Sequence, residues 1–309
     1  MMKLSLLSAL IILPLAAAVN YTYDAAGRLV KVDYFNGSTI SYTYDKAGNL
    51  LSRSVQASGG PAISSVTVAN GGTDIAQDTW IVIKGSNLVP ATTPAAGVIW
   101  SNAPDFASGK LPTQLSGVSV TVNGKAAFIY FYCSAATSSI CSADQINVLT
   151  PLDATLGQVQ IVVTSPAAIS PPFSVNLKSI APAFLLFVPA GYVAATHANG
   201  NLLGPTSLYP GLSTPANPGE TIVLYAVGFG LPTTALVNGS STQSGQLPTN
   251  PVCQLGGSAA AVSFAGLISP GLYQLNIVVP NLATNGDNPV SCTYGGSSTP
   301  LGALITVQP

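Results

Sequence analysis

The chain is 309 residues long, 48% hydrophobic but only 6% charged, with a net charge of −1. So few ions leave no electrostatic footprint for a polyanion, which excludes nucleic acid and an anionic membrane surface as partners. Its 30 Gly and 24 Pro break helices, and abundant Val, Thr and Ser suit pleated strands, so an all-β chain of short strands and tight turns is expected.

In chain order, residues 1–18 read as a signal peptide. Lys3 supplies the positive start, Leu4 to Leu15 a short apolar core interrupted by Pro14, and Ala16-Ala17-Ala18 the small residues of a cleavage site. The mature chain is expected to start near Val19 and to be secreted or held at the cell surface; an uncleaved N-terminal anchor is the alternative. The next apolar run, IAPAFLLFVPAGYVAA, contains Pro182 and Pro189. It falls short of the ~20 residues a spanning helix needs, so no membrane span is expected after cleavage.

Residues 19–58 say nearly the same thing twice: Tyr23-Asp24 is answered by Tyr44-Asp45, 44 − 23 = 21 residues later. Strand periodicity puts Tyr21 and Tyr23 on one face and Thr22 and Asp24 on the other, and Tyr42/Tyr44 against Thr43/Asp45 repeats the arrangement. Val30, Val32 and Tyr34 likewise share a face opposite Lys31 and Asp33. Asn36-Gly37 is the strongest short-range hairpin signal available, and Gly27 and Gly48 mark a turn after each Tyr-Asp. The motifs YDAAGRL, FNG and YTYDKAGNL resemble the YD repeat of Rhs-type proteins over about residues 20 to 53. In that family many tandem copies build a large β-shell that encloses a cargo, and some members are associated with carbohydrate binding or cell contact. One copy and a fraction cannot close a shell. A hairpin of two or three strands is marginal in water, so the segment is expected to pack on a neighbour or a partner, or to remain mobile.

The composition changes at residue 59. Strands are expected at Ile63 to Ala69 and Trp80 to Lys84, then within GVSVTVNGKAAFIYFY, DQINVLTP and GQVQIVVTS. That spacing argues a β-sandwich over residues 59–180. PAISSV followed by IVIKGSNL resembles the start of an IPT/TIG immunoglobulin-like domain. Residues 181–309 repeat this loosely as a second sandwich: TIVLYAVGFG stands where TWIVIKGSNL stood, and Gln274-Leu275-Asn276 answers Gln145-Ile146-Asn147. APAFLLF, ANPGETIVLYAVGFG and LGGSAAAVSFAGLISPGLYQLNIVVP are similar to a C-terminal domain family of uncharacterised secreted acidobacterial (Solibacter-type) proteins. That resemblance covers roughly residues 80 to 309; it implies a fold and a secreted context, but no activity.

Four Cys in an exported chain are read as disulfides. Pairing Cys133 with Cys141 and Cys253 with Cys292 keeps each bridge inside one sandwich; four free thiols are the alternative. Their spacing fits no zinc motif.

Groups for catalysis are sparse. Most carboxylates lie beside Gly, Asn, Pro or Thr, where Asp is an ordinary turn residue, and Asp74/Asp78 is the best close pair for acid/base work. His197 is the only His, and no G-x-S-x-G elbow accompanies it. NLATNGDNP offers Asn and Asp287 oxygens to a weak calcium site but lacks the carboxylates of a dedicated loop. No catalytic residue, metal or cofactor is therefore expected. Tyr21, Tyr23, Tyr34, Tyr42 and Tyr44 offer flat faces for sugar rings, with cross-strand packing as their other role. AAFIYFY reads as a core strand or an exposed edge. The expectation is a secreted, non-enzymatic binding or adhesion module whose partner is an extracellular glycan or another surface protein. A secreted hydrolase or an accessory domain of one, and a fragment of a larger Rhs-like surface system, are the alternatives.

Overall fold

The structure, a computed structural model, describes residues 19–33, 39–56, 59–187 and 191–308. The expected signal peptide, Tyr34 and the Asn36-Gly37 turn lie outside the described residues. Two compact units divide the chain, Met1–Gly60 and Pro61–Pro309. Among the described residues no helix is long and apolar enough to cross a membrane.

The first unit is an antiparallel sheet of Asn20–Tyr23, Leu29–Asp33, Thr39–Tyr44 and Leu50–Gln56, paired in sequence order. The fourth strand extends the expected hairpin; LLSRSVQ carries no Tyr-Asp signature to announce it. Cross-strand pairing sets Tyr21, Val32, Ile40 and Val55 in one row and Thr22, Lys31, Ser41 and Ser54 in the next. Alternation then gives the sheet an apolar face that includes Tyr42 and a polar face with the Lys31–Asp33 ion pair. The Asp of each Tyr-Asp locks its turn. Asp24 accepts the backbone N–H groups of Ala26 and Arg28 and the Arg28 Nε–H, while Asp45 accepts the backbone and side-chain N–H of Asn49. The chain can fold back onto these carboxylates because Gly27 (φ 75°) and Gly48 (φ 92°) take left-handed conformations that side chains disfavour.

The second unit holds two β-sandwiches. In the first, the sheet Ala62–Val68, Trp80–Ser86, Asp144–Leu149, Phe128–Cys133 and Val98–Ile99 faces one built from Lys125–Ala126, Val118–Val122, Gly157–Thr164, Phe173–Lys178 and Asp74–Ala76. Alternate residues point inward, so Ile81, Ile83, Ile146 and Val148 pack against Val120, Val122, Ile161 and Val163. Each such buried aliphatic side chain contributes on the order of 1.5–3 kcal/mol. Between Phe173–Lys178 and Ala183–Phe184 the chain passes into a second pair of sheets. Thr221–Val227, Leu272–Val278 and Val262–Ser269 lie in one, and Val252–Leu255, Gly286–Tyr294 and Leu304–Val307 in the other. The fold is therefore all-β: tandem immunoglobulin-like sandwiches preceded by a YD-type sheet.

The internal repeat is visible in single bonds. In each sandwich the Gln-x-Asn strand lies inside its sheet, paired on both sides, and Gln145 Nε2 donates to Asn147 Oδ1 at 2.9 Å as Gln274 Nε2 does to Asn276 Oδ1 at 2.8 Å. Both expected disulfides are present, Cys133–Cys141 and Cys253–Cys292. The second joins residues directly opposite on paired strands. The loop closed by the first is anchored by buried Asp144, whose oxygens accept Ser134 Oγ–H, the Ala135 N–H and the Leu88 N–H.

Candidate functional site

The two sandwiches meet along a junction of backbone contacts. Leu111 N–H donates to the Gly239 carbonyl and Ser241 N–H to the Gly109 carbonyl, each at 2.8 Å, and Leu152 N–H donates to Asn238 Oδ1 at 2.9 Å. Close approach demands glycine here: a Cβ on Gly271 (φ +64°) would run into Leu149 and come within 2.9 Å of the Trp80 ring.

Beside this junction lies a groove of about 460 Å³. Its floor is the outer face of the Trp80–Ser86 sheet: with Ile81 and Ile83 turned into the core, period 2 leaves Trp80 and Val82 facing out, and Asn147 pairs with Val82. Trp100 and Phe106 enter from the short helices Trp100–Asn102 and Pro104–Ser108, and Ser241, Ser269, Pro270 and Leu272 come from the second sandwich. The rings meet edge to face, with centroids 5.6 Å apart for Trp80–Trp100, 5.8 Å for Trp80–Tyr130, 5.0 Å for Trp100–Tyr130 and 5.3 Å for Trp100–Phe106. Trp80 Nε1–H donates to the Pro270 carbonyl at 2.8 Å and so pins its ring across the junction.

Asp78 sits in the same junction, 2% exposed and at φ 48°. Burial pushes its carboxyl up to about 6, although the Gly271 N–H and the Gln243 side chain hydrogen-bond to it. Asp78 Oδ2 and Gln243 Oε1 are buried acceptors with no hydrogen-bond partner among the described residues. Burial, and then the Asp78 charge, also raise the Tyr273 phenol, which donates to the Gly230 carbonyl.

The structure separates the tyrosines expected to contact ligand. Tyr21 and Tyr23 are 57% and 58% exposed. Tyr42 shares the Tyr21 face and is half-buried, paired with Arg53. Tyr44 has a holding role: its hydroxyl donates to the Leu29 carbonyl and the Arg28 guanidinium lies 4.9 Å from its ring centre. Tyr34 is outside the described residues.

Asp74 and Asp78 engage different partners. Lys178 and, less strongly, Asn176 hold Asp74 below the usual carboxylate range. His197 stands between Glu220 at Nδ1 and Thr214 at Nε2. At Nε2 the Thr214 hydroxyl lies at 2.9 Å and its carbonyl at 3.1 Å. The trio links residues at or beside the ends of three strands. In the NLATNGDNP turn the buried Asn288 amide bonds Thr284 and Gly286, while Asp287 accepts from Tyr192 and Thr306. Among the described residues no group of three or more His, Cys, Asp or Glu is placed to hold a metal.

Trp80, Trp100, Phe106 and Tyr130 were not singled out as a group by the sequence. Their one signal is that the chain has just 2 Trp, and both line one groove.

Fold and surfaces together define a tandem immunoglobulin-like sandwich protein with a YD-type sheet. Residues 23–61 match the RHS Repeat family model, a span that takes in the fourth strand of that sheet. Among solved structures, the Bacteroides ovatus mixed-linkage glucan utilization locus protein SGBP-B, in complex with a mixed-linkage heptasaccharide, aligns over 88% of this chain and 54% of its own at 10% identity and TM-score 0.33. The Yersinia pseudotuberculosis adhesin InvE aligns over 80% and 60% at 10% identity and TM-score 0.21. Two domains of the S-layer protein SbsC align over 80% and 98% at 11% identity and TM-score 0.22. This chain thus spans 54% and 60% of the length of the first two. No curated protein matches it.

Proposed function

We propose that this chain is an extracellular, non-enzymatic binding module that attaches to a glycan through the tyrosine-bearing sheet of its RHS-like unit. The observation that carries the proposal is the exposure of Tyr21 and Tyr23, 57% and 58%, on a sheet whose Asp24 and Asp45 carboxylates are spent on its own turns. An aromatic ring left in water on a rigid strand offers large contact area and a polar handle. Two disulfides support an oxidising compartment. The engagement of Asp74, His197 and Asp287 in structural bonds supports a non-enzymatic role. On this proposal residues 1–18 are a cleaved signal peptide, 19–58 the repeat segment, and 59–180 and 181–309 the two sandwiches, the second of the type found in secreted acidobacterial proteins.

A glycan array probed with the full chain and with Tyr21→Ser/Tyr23→Ser tests it. Binding that falls with the double substitution supports the proposal. If no glycan binds while the chain still adheres to cells, the partner is a surface protein, and the glycan reading fails.

A further inference from the structure

We infer that the groove between the two sandwiches is a separate site for an uncharged oligosaccharide, held by Trp80, Trp100 and Tyr130 together with the amide of Asn147 and the hydroxyls of Ser241 and Ser269. The assignment rests on the proposed glycan-binding role and adds to it a second place and a ligand class.

The lining decides the class. About 460 Å³ lies within the ~300–1,000 Å³ usual for small-molecule sites. Among the described residues no Asp, Glu, Lys, Arg or His lines it, so an ionic ligand would shed its hydration against apolar walls without meeting a counter-charge. A quaternary ammonium fares no better. Ring centroids 5.0–5.8 Å apart put the rings in contact with one another, leaving no gap in which a cation could sit between two faces.

A wholly apolar ligand is disfavoured by the polar groups at the wall. Asn147 Oδ1 is already occupied by Gln145 Nε2–H, which leaves the amide nitrogen of Asn147 to donate, and Ser241 and Ser269 add hydroxyls on the facing side. Covering these with hydrocarbon would leave them without hydrogen-bond partners. A neutral sugar chain answers both demands: the C–H faces of its rings pack on aromatic rings, and its hydroxyls bond to the amide and serines. The walls are set before the ligand arrives, because the Trp80 Nε1–H bond to Pro270 fixes the floor against the far side, and preorganisation of this kind lowers the ordering cost of binding.

Because both tryptophans of the chain line the groove, their fluorescence reports occupancy without a label. The experiment titrates the full chain with cellohexaose, laminarihexaose, maltohexaose and mannohexaose, with polygalacturonate as the acidic control. Tyr130→Ser and Tyr21→Ser/Tyr23→Ser are compared in parallel. Tyr130 is 37% exposed, so its substitution spares the core; Asn147→Asp, which places a charge in the groove, is the second variant.

The inference expects a saturable change in tryptophan emission with at least one neutral hexasaccharide and none with polygalacturonate. Affinity should be weakened about tenfold by Tyr130→Ser or Asn147→Asp and left unchanged by Tyr21→Ser/Tyr23→Ser. Binding that is lost only with Tyr21 and Tyr23, with silent tryptophans, overturns the groove site and leaves the proposed function standing. Emission that responds to polygalacturonate overturns the ligand class. A chain that binds no sugar on the array or in the titration overturns the groove site and the glycan-binding role together.

Discussion

Asp78→Asn is the sharpest test of the junction between the sandwiches. Burial raises the Asp78 carboxyl from 3.8 to about 6, a shift of about 2 units that corresponds to about 3 kcal/mol between the protonated and ionised forms. Because the folded-state value is the higher one, its stabilising contribution is complete below about pH 4, declines as pH rises, and is lost above about pH 6. At neutral pH the junction therefore holds an ionised carboxylate in a poorly solvated place. Asn keeps one acceptor for the Gly271 N–H, removes the charge, tolerates φ 48°, and turns an N–H toward Gln243 Oε1, which has no partner among the described residues. The stability of Asp78→Asn relative to the parent chain should rise by about 2–3 kcal/mol between about pH 4 and about pH 7, or by roughly 5–10 °C in melting temperature. Urea unfolding of both chains at the two pH values measures it. Carboxylates held low, such as Asp74 and Asp153, titrate in both chains and cancel in the difference. A stability gap equal at the two pH values, or one that shrinks toward neutrality, refutes the assignment of this titration to Asp78.

Gly271→Ala should destabilise the chain by about 1–3 kcal/mol in urea unfolding, because a Cβ at φ +64° would strike Leu149 and the Trp80 ring; a neutral result would mean that the junction yields freely. Replacing Cys253 and Cys292 by Ala should cost about 4 kcal/mol and the same change at Cys133 and Cys141 about 2.5 kcal/mol, since the loops closed span separations of 39 and 8 residues. Equal losses would contradict the chain-entropy account. Arg28→Ala removes the bonds to Asp24 and to the Asp45 carbonyl and uncovers Tyr44. Amide exchange in the Asn20–Gln56 sheet should accelerate about fivefold while the Ile81 and Leu224 strands stay protected.

Much of the fold was legible because its causes are local. Tyr-Asp followed by Gly repeats because an Asp side chain can bond its own turn only at that spacing. Gln145-Ile146-Asn147 and Gln274-Leu275-Asn276 share a bond because each lies in an interior strand, where alternation sets Gln and Asn side by side on one face. The tyrosine list was harder to read. Alternation grouped Tyr21 with Tyr23 and Tyr42 with Tyr44, yet it had no means of showing that Tyr21 and Tyr42 share a face of the sheet or that Arg28 and the Leu29 carbonyl would claim Tyr44. In FIYFYC strict alternation sends Tyr130 and Tyr132 to the same face. An irregularity between Ile129 and Phe131 breaks the register, leaving Tyr130 exposed in the groove and Tyr132 buried.

By itself, then, the sequence determined the β class, the tandem sandwiches and the turns of the repeat, all consequences of spacing along a strand, whereas the pairing of the four cysteines was left open until the structure gave it. Tertiary structure alone decided what the two sandwiches create between them. Trp80 meets Pro270 across 190 residues, and Asp78 becomes a weak acid because its burial in the junction outweighs the hydrogen bonds from Gly271 and Gln243. Burial and ring contact depend on which surfaces come together in space, and no periodicity in the chain encodes a neighbour that far away.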